Sequence, residues 1–584
     1  METVKWNKAM PNFLAGRKGK ALLLPFALIL FHFTFFSSTL QAQTPFTDIT
    51  EQAGINHQFV VFEGMFGGGA CVFDFNKDGF EDLFITGGMN DDALYLNNGD
   101  GTLRNGYEGS GLEITRHYVT QGAAAADVNR DGWVDLFVTT ITSRDSVKTI
   151  PRAINLLFLN QEGKSFRNVT SEYGLDQMNS FSTGPSFGDF DADGYPDLYV
   201  GNYFRAYDGE LTYINDATIV NANQTATSYL LHNEKGKAFR DVFTGYGLKY
   251  RGYGFGALFT DFDNDGDLDL LVNHDFGYKA VPSFLLENRY PKKAFRDVSK
   301  EKEMDLKINA MGAAAGDYDN NGLMDYFVTN IRFNKFMVNQ GPGKPFIDKA
   351  EESGLGYFAI SWGANFADFD QDGDLDLFVS NGDLNPNDVP MANFYFVNKD
   401  GKFEESARAA GLNDYGVGRG SVVFDLENDG DLDILVVNQK PVLDGYPVPS
   451  MTKLFRNDIA DKGNWVKIAL KGADAESRGL GSRVEVVAGW RRMIREIEGG
   501  GSTHDSQSSA IAHFGLGTAT AIDEINITWV GGKKQTLVNQ PVNTLLTIEE
   551  AKGGGKESGR MLLAGLGVVL AVILLMVLRK NMRS

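Results

Sequence analysis

Residues 368–376 read DFDQDGDLD, and the same nine-residue pattern starts at Asp74 (DFNKDGFED), Asp127 (DVNRDGWVD), Asp189 (DFDADGYPD), Asp261 (DFDNDGDLD), Asp317 (DYDNNGLMD) and Asp425 (DLENDGDLD). Successive copies lie 53, 62, 72, 56, 51 and 57 residues apart. Each has an oxygen-bearing side chain at positions 1, 3, 5 and 9 and a glycine at position 6. A further glycine precedes every copy by five residues: Gly69, Gly122, Gly184, Gly256, Gly312, Gly363 and Gly420. Seven copies with matching flanks are an internal repeat, and a repeat of this period is one supersecondary unit used again.

Alternating carboxylates around a glycine turn, with a backbone carbonyl at position 7, make an oxygen cage for a hard cation of calcium size; magnesium demands a stricter octahedron and dehydrates reluctantly. The candidate ligands are Asp74, Asn76, Asp78 and Asp82; Asp127, Asn129, Asp131 and Asp135; Asp189, Asp191, Asp193 and Asp197; Asp261, Asp263, Asp265 and Asp269; Asp317, Asp319, Asn321 and Asp325; Asp368, Asp370, Asp372 and Asp376; and Asp425, Glu427, Asp429 and Asp433. That predicts up to seven calcium ions in a structural role. An EF-hand would need Glu at position 12, where this chain has Ile85, Val138, Val200, Val272, Val328, Val379 and Val436. Each loop runs instead into a short apolar segment (LFIT, LFVT, LYVG, LLVN, YFVT, LFVS, ILVV) that reads as a buried strand.

Two more elements recur in register. A strand ending near Asn follows (LYLNN at 94, LFLNQ at 156, LLHNE at 230, FLLEN at 284, FMVNQ at 336, FYFVN at 394, LFRN at 454). An F-x-D-like strand with a Gly-Leu turn then starts at 166, 239, 346 and 403, and more weakly at 103 and 295. One such unit, FTDITEQAGI at 46, precedes the first loop and none follows LFRN, so the N-terminal strand is expected to complete the last unit. Four short strands repeated seven times predict an all-β fold, a seven-bladed β-propeller over 43–457 closed by its N-terminus. An open β solenoid is the alternative.

These units resemble FG-GAP/VCBS repeats, whose calcium loops stud integrin α-type propellers. From Asn464 the pattern changes to NWVKIALKG, RGLGSRVEVVAGWRRMIREI, GGGSTHDSQSSAIAHFGLG, EINITWVGGKKQTL and NTLLTIEE, predicting a small antiparallel β domain over 458–551. Gly479 to Arg483, Ser506 to Ser509 and Phe514 to Gly517 resemble the ASPIC/UnbV domain. The pairing is the layout of the cartilage acidic protein family. The resemblance implies fold and metal, and no particular reaction.

Of 584 residues, 67 are Gly and 43 are Phe, and 12% are aromatic, which suits a turn-rich globular chain. The net charge of −21 excludes a phosphate-backbone partner, which needs a basic footprint. Arg17, Lys18 and Lys20, the apolar run 21–36 and the small residues before Ala42 have the layout of a signal peptide (1–42); an uncleaved anchor is the alternative. Without it the charge is near −25, since it holds five Lys/Arg and one Glu. After a linker (552–560), 561–578 is uncharged and about 27 Å long as a helix, enough to span a bilayer, and the basic tail 579–584 places that end in the cytoplasm. A processed sorting tail is the alternative. The expectation is an exported, membrane-anchored protein of a cell envelope, bacterial in character. Cys71 is the one cysteine, so calcium replaces disulfides as the fold's brace. The sequons at Asn168, Asn223 and Asn526 inform only if the host glycosylates.

His57, His117, His232, His274, His504 and His513 are scattered, and no catalytic constellation is visible. His504, Asp505 and Ser506 are adjacent, which favours a structural role over a dyad with nucleophile. A ligand is expected on the face away from the loops, at Tyr118, Tyr207, Tyr250, Arg251, Tyr253, Tyr357, Trp362 and Arg419, because aromatic and Arg residues on loops are what binding surfaces enrich. The function expected is binding or adhesion to a glycan or extracellular protein. A polysaccharide-acting enzyme using carboxylates on that face, and a purely structural surface protein, are the alternatives.

Overall fold

The computed structural model describes residues 45–552 except 63–65, 145–153, 179–180, 205–224, 385–388, 442–449, 461 and 502. The expected signal peptide, membrane segment and basic tail lie outside the described residues, and among those described no helix is long and apolar enough to cross a membrane.

The repeat folds as seven antiparallel sheets in a propeller-like arrangement, each with its strands in simple up-and-down order. Sheet 1 is Ala70–Phe73, Asp82–Ile85, Ala93–Asn97 and Leu103–Asn105, so the weak F-x-D unit at 103 is a strand. Sheets 2, 3 and 4 start with Tyr118–Ala126, Ser182–Gly188 and Tyr253–Thr260, and sheet 5 with Ala313–Gly316. Sheet 6, starting with Phe358–Ala367, gains a fifth strand, Ile331–Phe333, which pairs with 358–360. Sheet 7 is Gly418–Phe424, Asp433–Asn438 and Lys453–Asn457, completed by Phe46–Asp48 with Phe46 opposite Asn457. The N-terminal strand therefore closes the last sheet, as the missing unit after LFRN predicts.

The asparagines that end the third strands tie these sheets into a ring. Each side-chain amide donates to the carbonyl of loop position 2 in the preceding sheet: Asn160 to Phe75, Asn233 to Val128, Asn288 to Phe190, Asn339 to Phe262, Asn398 to Tyr318 and Asn457 to Phe369, all at 2.8–2.9 Å. Asn97 donates to Leu426 at 2.9 Å, so sheet 1 is clasped to sheet 7 and the ring closes. The apolar strand after each loop is buried on both sides, as a sheet packed between two others requires.

The C-terminal module has two sheets of its own: Asn464–Lys471 between Ala512–Gly517 and Thr544–Glu549, and Arg483–Ala488 with Arg491–Glu496, Ile522–Thr528 and Lys534–Gln540. The expectation of a wholly antiparallel domain fails at one pair, because Asn464–Lys471 runs parallel to Thr544–Glu549. Alternation in sequence marks a strand with one buried face but carries no direction. Val466, Ile468, Val484, Val486 and Trp529 share one core with Val128, Phe137, Phe187 and Leu198 of sheets 2 and 3, so the module packs onto the ring.

Candidate metal loops and the plugged axis

All seven acidic loops have one backbone path. Position 4 is left-handed in each (Lys77, Arg130, Ala192, Asn264, Asn320, Gln371, Asn428; φ 53–66°), and so is the glycine at position 6 (φ 87–97°). The glycine N–H donates to the position-1 carboxylate in every copy, from Gly79 to Asp74 through Gly430 to Asp425, at 2.8–3.1 Å. Two left-handed residues fold the loop tightly enough to turn positions 1, 3 and 5 inward. The position-9 carboxylate fastens the loop to its sheet: Asp135 accepts from Val128 N at 3.0 Å and from Asn160 N at 2.9 Å, and Asp82, Asp197, Asp269 and Asp433 repeat this.

Burial makes these carboxylates costly to ionise. It pushes Asp189 and Asp368 up to about 8 and Asp82 and Asp261 up to about 7, with neighbouring carboxylates adding to the shift. Asp135, Asp197, Asp269, Asp325, Asp376 and Asp433 are raised well above the usual range for the same reason. A cation within the cluster would favour the anions beyond what the backbone N–H donors already do.

Asp189, Asp191 and Asp193; Asp261, Asp263 and Asp265; Asp317, Asp319 and Asp325; and Asp368, Asp370 and Asp372 each bring three oxygens within 4.8 Å of one another. Loops 1 and 2 carry Asn76 and Asn129 in place of one carboxylate, with amide donors turned to Asp78 and Asp131 at 2.8 and 3.0 Å. Asp74 Oδ1, Asp191 Oδ1, Asp263 Oδ1 and Asp368 Oδ1 are buried without a hydrogen-bond partner, which fits a hard cation in these loops. Loop 7 differs. Lys467 Nζ lies 2.8 Å from Asp425 Oδ2, with both side chains buried, Arg456 is 3.8 Å from Glu427, and Lys462 is 3.7 Å from Asp429. Lys467 is the close cation of this loop, while Arg456 and Lys462 reach Glu427 and the exposed Asp429 from shorter pairs with Asp458 and Asp431.

The C-terminal module covers the loop side of the ring. Besides Lys467, Arg130 of loop 2 donates to the carbonyls of Ala473 and Asp474, Arg483 donates to Asp261 O at 2.8 Å, Gly515 N donates to Asp368 at 2.9 Å and Arg491 pairs with Asp374 at 3.2 Å. From this cap, Gly499–Gly501 and Thr503–Ser509 enter the ring's axis. Phe187 N donates to Gly499 O, Ala123 N to Asp505 O and Val72 N to Gln507 O, at 2.8, 3.1 and 3.1 Å; Ser509 N donates to Val423 O at 3.1 Å, and His504 Nδ1 meets Met311 O at 3.0 Å. The glycines five residues before the loops line this axis, and a Cβ on Gly69, Gly122 or Gly420 would stand 2.1, 2.7 or 2.3 Å from plug atoms. Their absent side chains make room for the plug, a role that only the folded ring reveals.

His504 and Asp505 sit at the plug's tip at φ 47° and 58°, both 1% exposed. His504 Nε2 is 3.7 Å from Asp505 Oδ2, too long for a hydrogen bond, and Ser506 Oγ donates to His504 O. Burial depresses His504 to about 3 and raises Asp505 far above the carboxylate range, so the stretch forms an inward-facing neutral wedge resting on Trp362, its ring 4.8 Å away. Cys71 is fully buried beside Gln507.

The expected ligand face needs correction at four residues. Tyr253, Trp362 and Arg419 are 1%, 2% and 0% exposed, because they lie within the first strands of sheets 4, 6 and 7 and their side chains are packed inward; Arg419 lies over the Trp362 ring at 4.1 Å. Tyr250 packs among Phe243, His274 and Phe284 and meets Tyr199 Oη at 3.0 Å. Tyr118 is half-buried, Arg251 and Tyr357 are exposed, and Tyr207 lies outside the described residues. Phe333 (55% exposed), brought beside Phe358 (64%) by the extra strand of sheet 6, was not foreseen; their rings meet edge to face at 5.8 Å.

Known families match this geometry. An FG-GAP-like repeat model matches residues 74–138, 317–379 and 368–436, an FG-GAP repeat model matches 181–214, and the ASPIC and UnbV model matches 472–555. The chain carries FG-GAP repeats followed by a C-terminal ASPIC/UnbV domain. Cartilage acidic protein 1 of Mus musculus is 23% identical over 56% of this FG-GAP/ASPIC chain and 42% of its own length, and that of Homo sapiens 22% over 56% and 41%. The alignments thus span less than half of these curated relatives. Among solved structures, an Agrocybe aegerita lectin that recognises non-reducing terminal N-acetylglucosamine is 15% identical over 68% of this chain and 92% of its own, with TM-score 0.35. A Bacillus licheniformis rhamnogalacturonan lyase is 12% identical over 71% and 75%, with TM-score 0.34.

Proposed function

We propose that this FG-GAP/ASPIC chain is a metal-braced seven-bladed propeller, exported and anchored to a membrane, that binds a glycan or protein outside the cytoplasm through the face away from its loops. Calcium is the ion proposed for loops 1 to 6, held by the inward oxygens of positions 1, 3 and 5; when bound it neutralises carboxylates that burial otherwise keeps protonated. Loop 7 is served by Lys467, Arg456 and Lys462. The observation that carries the binding assignment is the closure of one side: the module caps the loops and plugs the axis, while Phe333 and Phe358 form an exposed edge-to-face pair elsewhere, with Tyr357 exposed against Phe394. Exposed aromatics in contact are what sugar rings and protein hot spots engage.

The test is binding of the full chain to a broad glycan array in calcium and in chelator, with Phe358→Ser as the control. Selective binding weakened by that substitution supports the reading. Binding that survives Phe358→Ser and Phe333→Ser together places the ligand elsewhere, and a blank array moves the proposal to a protein ligand, sought by pull-down from envelope extract with the same two variants.

A further inference from the structure

The residue before each clasp asparagine differs from sheet to sheet, and in sheets 3, 4 and 7 it acts on position 3 of its own loop: His232 on Asp191, Glu287 on Asp263 and Arg456 on Glu427. It is Leu96, Leu159, His232, Glu287, Val338, Val397 and Arg456 in sheets 1 to 7. Only sheet 3 offers a nitrogen ligand. His232 is 8% exposed and its Nε2 lies 3.0 Å from Asp191 Oδ2. Asp191, Asp197 and His232 bring one ligand atom each within 4.8 Å of the others. The other ring nitrogen, Nδ1, is 3.4 Å from Glu234 Oε1, which Arg240 Nε fixes at 2.6 Å. Nδ1 is buried and makes no hydrogen bond at that distance; Glu234 is the carboxylate within reach to close behind it, the supporting arrangement of metal-bound imidazoles. Two unpartnered groups agree, one in the cluster and one outside it. Asp191 Oδ1 is buried without a partner, and so is the hydroxyl of Tyr246, 4% exposed, on which Asp191 acts more strongly than any other charge.

We propose that loop 3 is a mixed nitrogen–oxygen site for a borderline divalent transition ion of the zinc type, held by His232 Nε2, Asp191 and Asp197, while the all-oxygen loops take calcium. An imidazole adds little for calcium, which takes oxygen ligands, and much for zinc, which binds His and Asp together at four-coordinate sites. Glu234 would keep the Nδ1 proton and leave Nε2 free to ligate. The inference rests on the reading of the loops as metal sites and replaces calcium at one of them.

The test titrates the full chain with ZnCl2 in millimolar CaCl2, reading zinc stoichiometry with a competing chromophoric chelator. One equivalent should be retained against the calcium. His232→Leu, which installs the residue that sheets 1 and 2 carry there, should lower that affinity by about 100-fold, and Glu234→Gln by about 10-fold. Neither should change the melting temperature in calcium alone. The same zinc stoichiometry in His232→Leu, or displacement of the zinc by calcium, overturns the proposal. If chelating calcium leaves the melting temperature unchanged while one zinc remains His232-dependent, the calcium assignment fails and the loop 3 site stands.

Discussion

Asn160→Ala tests whether the clasp amides hold the ring together. The Asn160 side chain, 2% exposed, donates to Phe75 O of sheet 1 at 2.9 Å and to Val134 O at 3.2 Å, and accepts from Gly163 N at 2.8 Å. Truncation leaves two carbonyls of buried residues without this donor, at roughly 1–3 kcal/mol each, and one half-buried N–H that water can reach, at about 0.5–1.5 kcal/mol. The expected loss is about 2.5–7.5 kcal/mol. Melting entropy of about 2.1 cal/mol/K per residue makes 1 kcal/mol worth about 1 °C in a ring and module of this size, so Tm should fall by about 2.5–7.5 °C. Asn160→Asp should do at least as much harm, because it turns an oxygen toward both carbonyls. The exposed Asn98, bonded only to Thr102, is the control and should cost less than about 0.5 kcal/mol as alanine. Differential scanning calorimetry in saturating calcium decides it. An Asn160→Ala melt within about 1 °C of the parent would refute the clasp as a stabilising element.

Three further outcomes follow from the same geometry. Without calcium, Asp82, Asp189, Asp261 and Asp368 have folded pKa values of about 7–8, above their unfolded values, so their contribution is complete at acid pH and is lost as pH rises through 7–8. His57 and His274, depressed to about 4, act in the opposite sense between about pH 6.5 and 4, but over that interval the four carboxylates outweigh the two imidazoles, so the chelated protein should melt highest near about pH 4–5 and lose stability steadily toward pH 8, and calcium should flatten that decline; identical Tm–pH profiles with and without calcium would refute this. Lys467→Met leaves Asp425 buried without its cation and should cost about 3–5 kcal/mol in chelator, with calcium restoring much of it and raising the bound calcium by one; an unchanged stoichiometry would show that loop 7 lacks the cage. Gly122→Val places a side chain against Asp505 and should expel the plug, making Cys71, sealed in the parent, reactive to a thiol reagent in the folded state; an unreactive Cys71 would refute the plug's role.

Much of this fold is legible in the sequence because its signals are local. The D-x-D-x-D-G pattern fixes a turn within nine residues, the apolar run after it fixes a buried strand, and the missing unit after LFRN predicts the pairing of Phe46 with Asn457. The features that escape reading are pairings across great separation. The recurring asparagine is visible, but nothing local says that its amide reaches the sheet before its own. The recurring glycine five residues before each loop reads as a turn or a bulge, whereas its partner is a segment hundreds of residues downstream: Ser506 bonds Ala70 across 436 positions. Trp362 and Arg419 read as loop residues because an inner strand beginning at the axis looks, in sequence, like the end of the connection before it.

The same long-range pairings explain why one module follows seven similar loops. A ring of identical loops would present the C-terminal module with equal faces, yet it docks in one register, through Lys467 into loop 7, Gly515 onto Asp368 and Arg483 onto loop 4. These contacts meet position 1, which all loops share, and the register is keyed at position 4, where Arg130, Asn264 and Asn428 bond the module. Loop 7, with Arg456 and Lys467 in reach, exchanges a free ion for a tether that cannot dissociate; loop 3, with His232, gains a ligand no other loop has. Divergence at these few positions converts seven equivalent cation cages into a keyed surface. Because the key and the plug both lie on the loop side, any cation the loops take would be coupled to the seating of the module, and the proposed binding face of Phe333 and Phe358 is left uncovered by either.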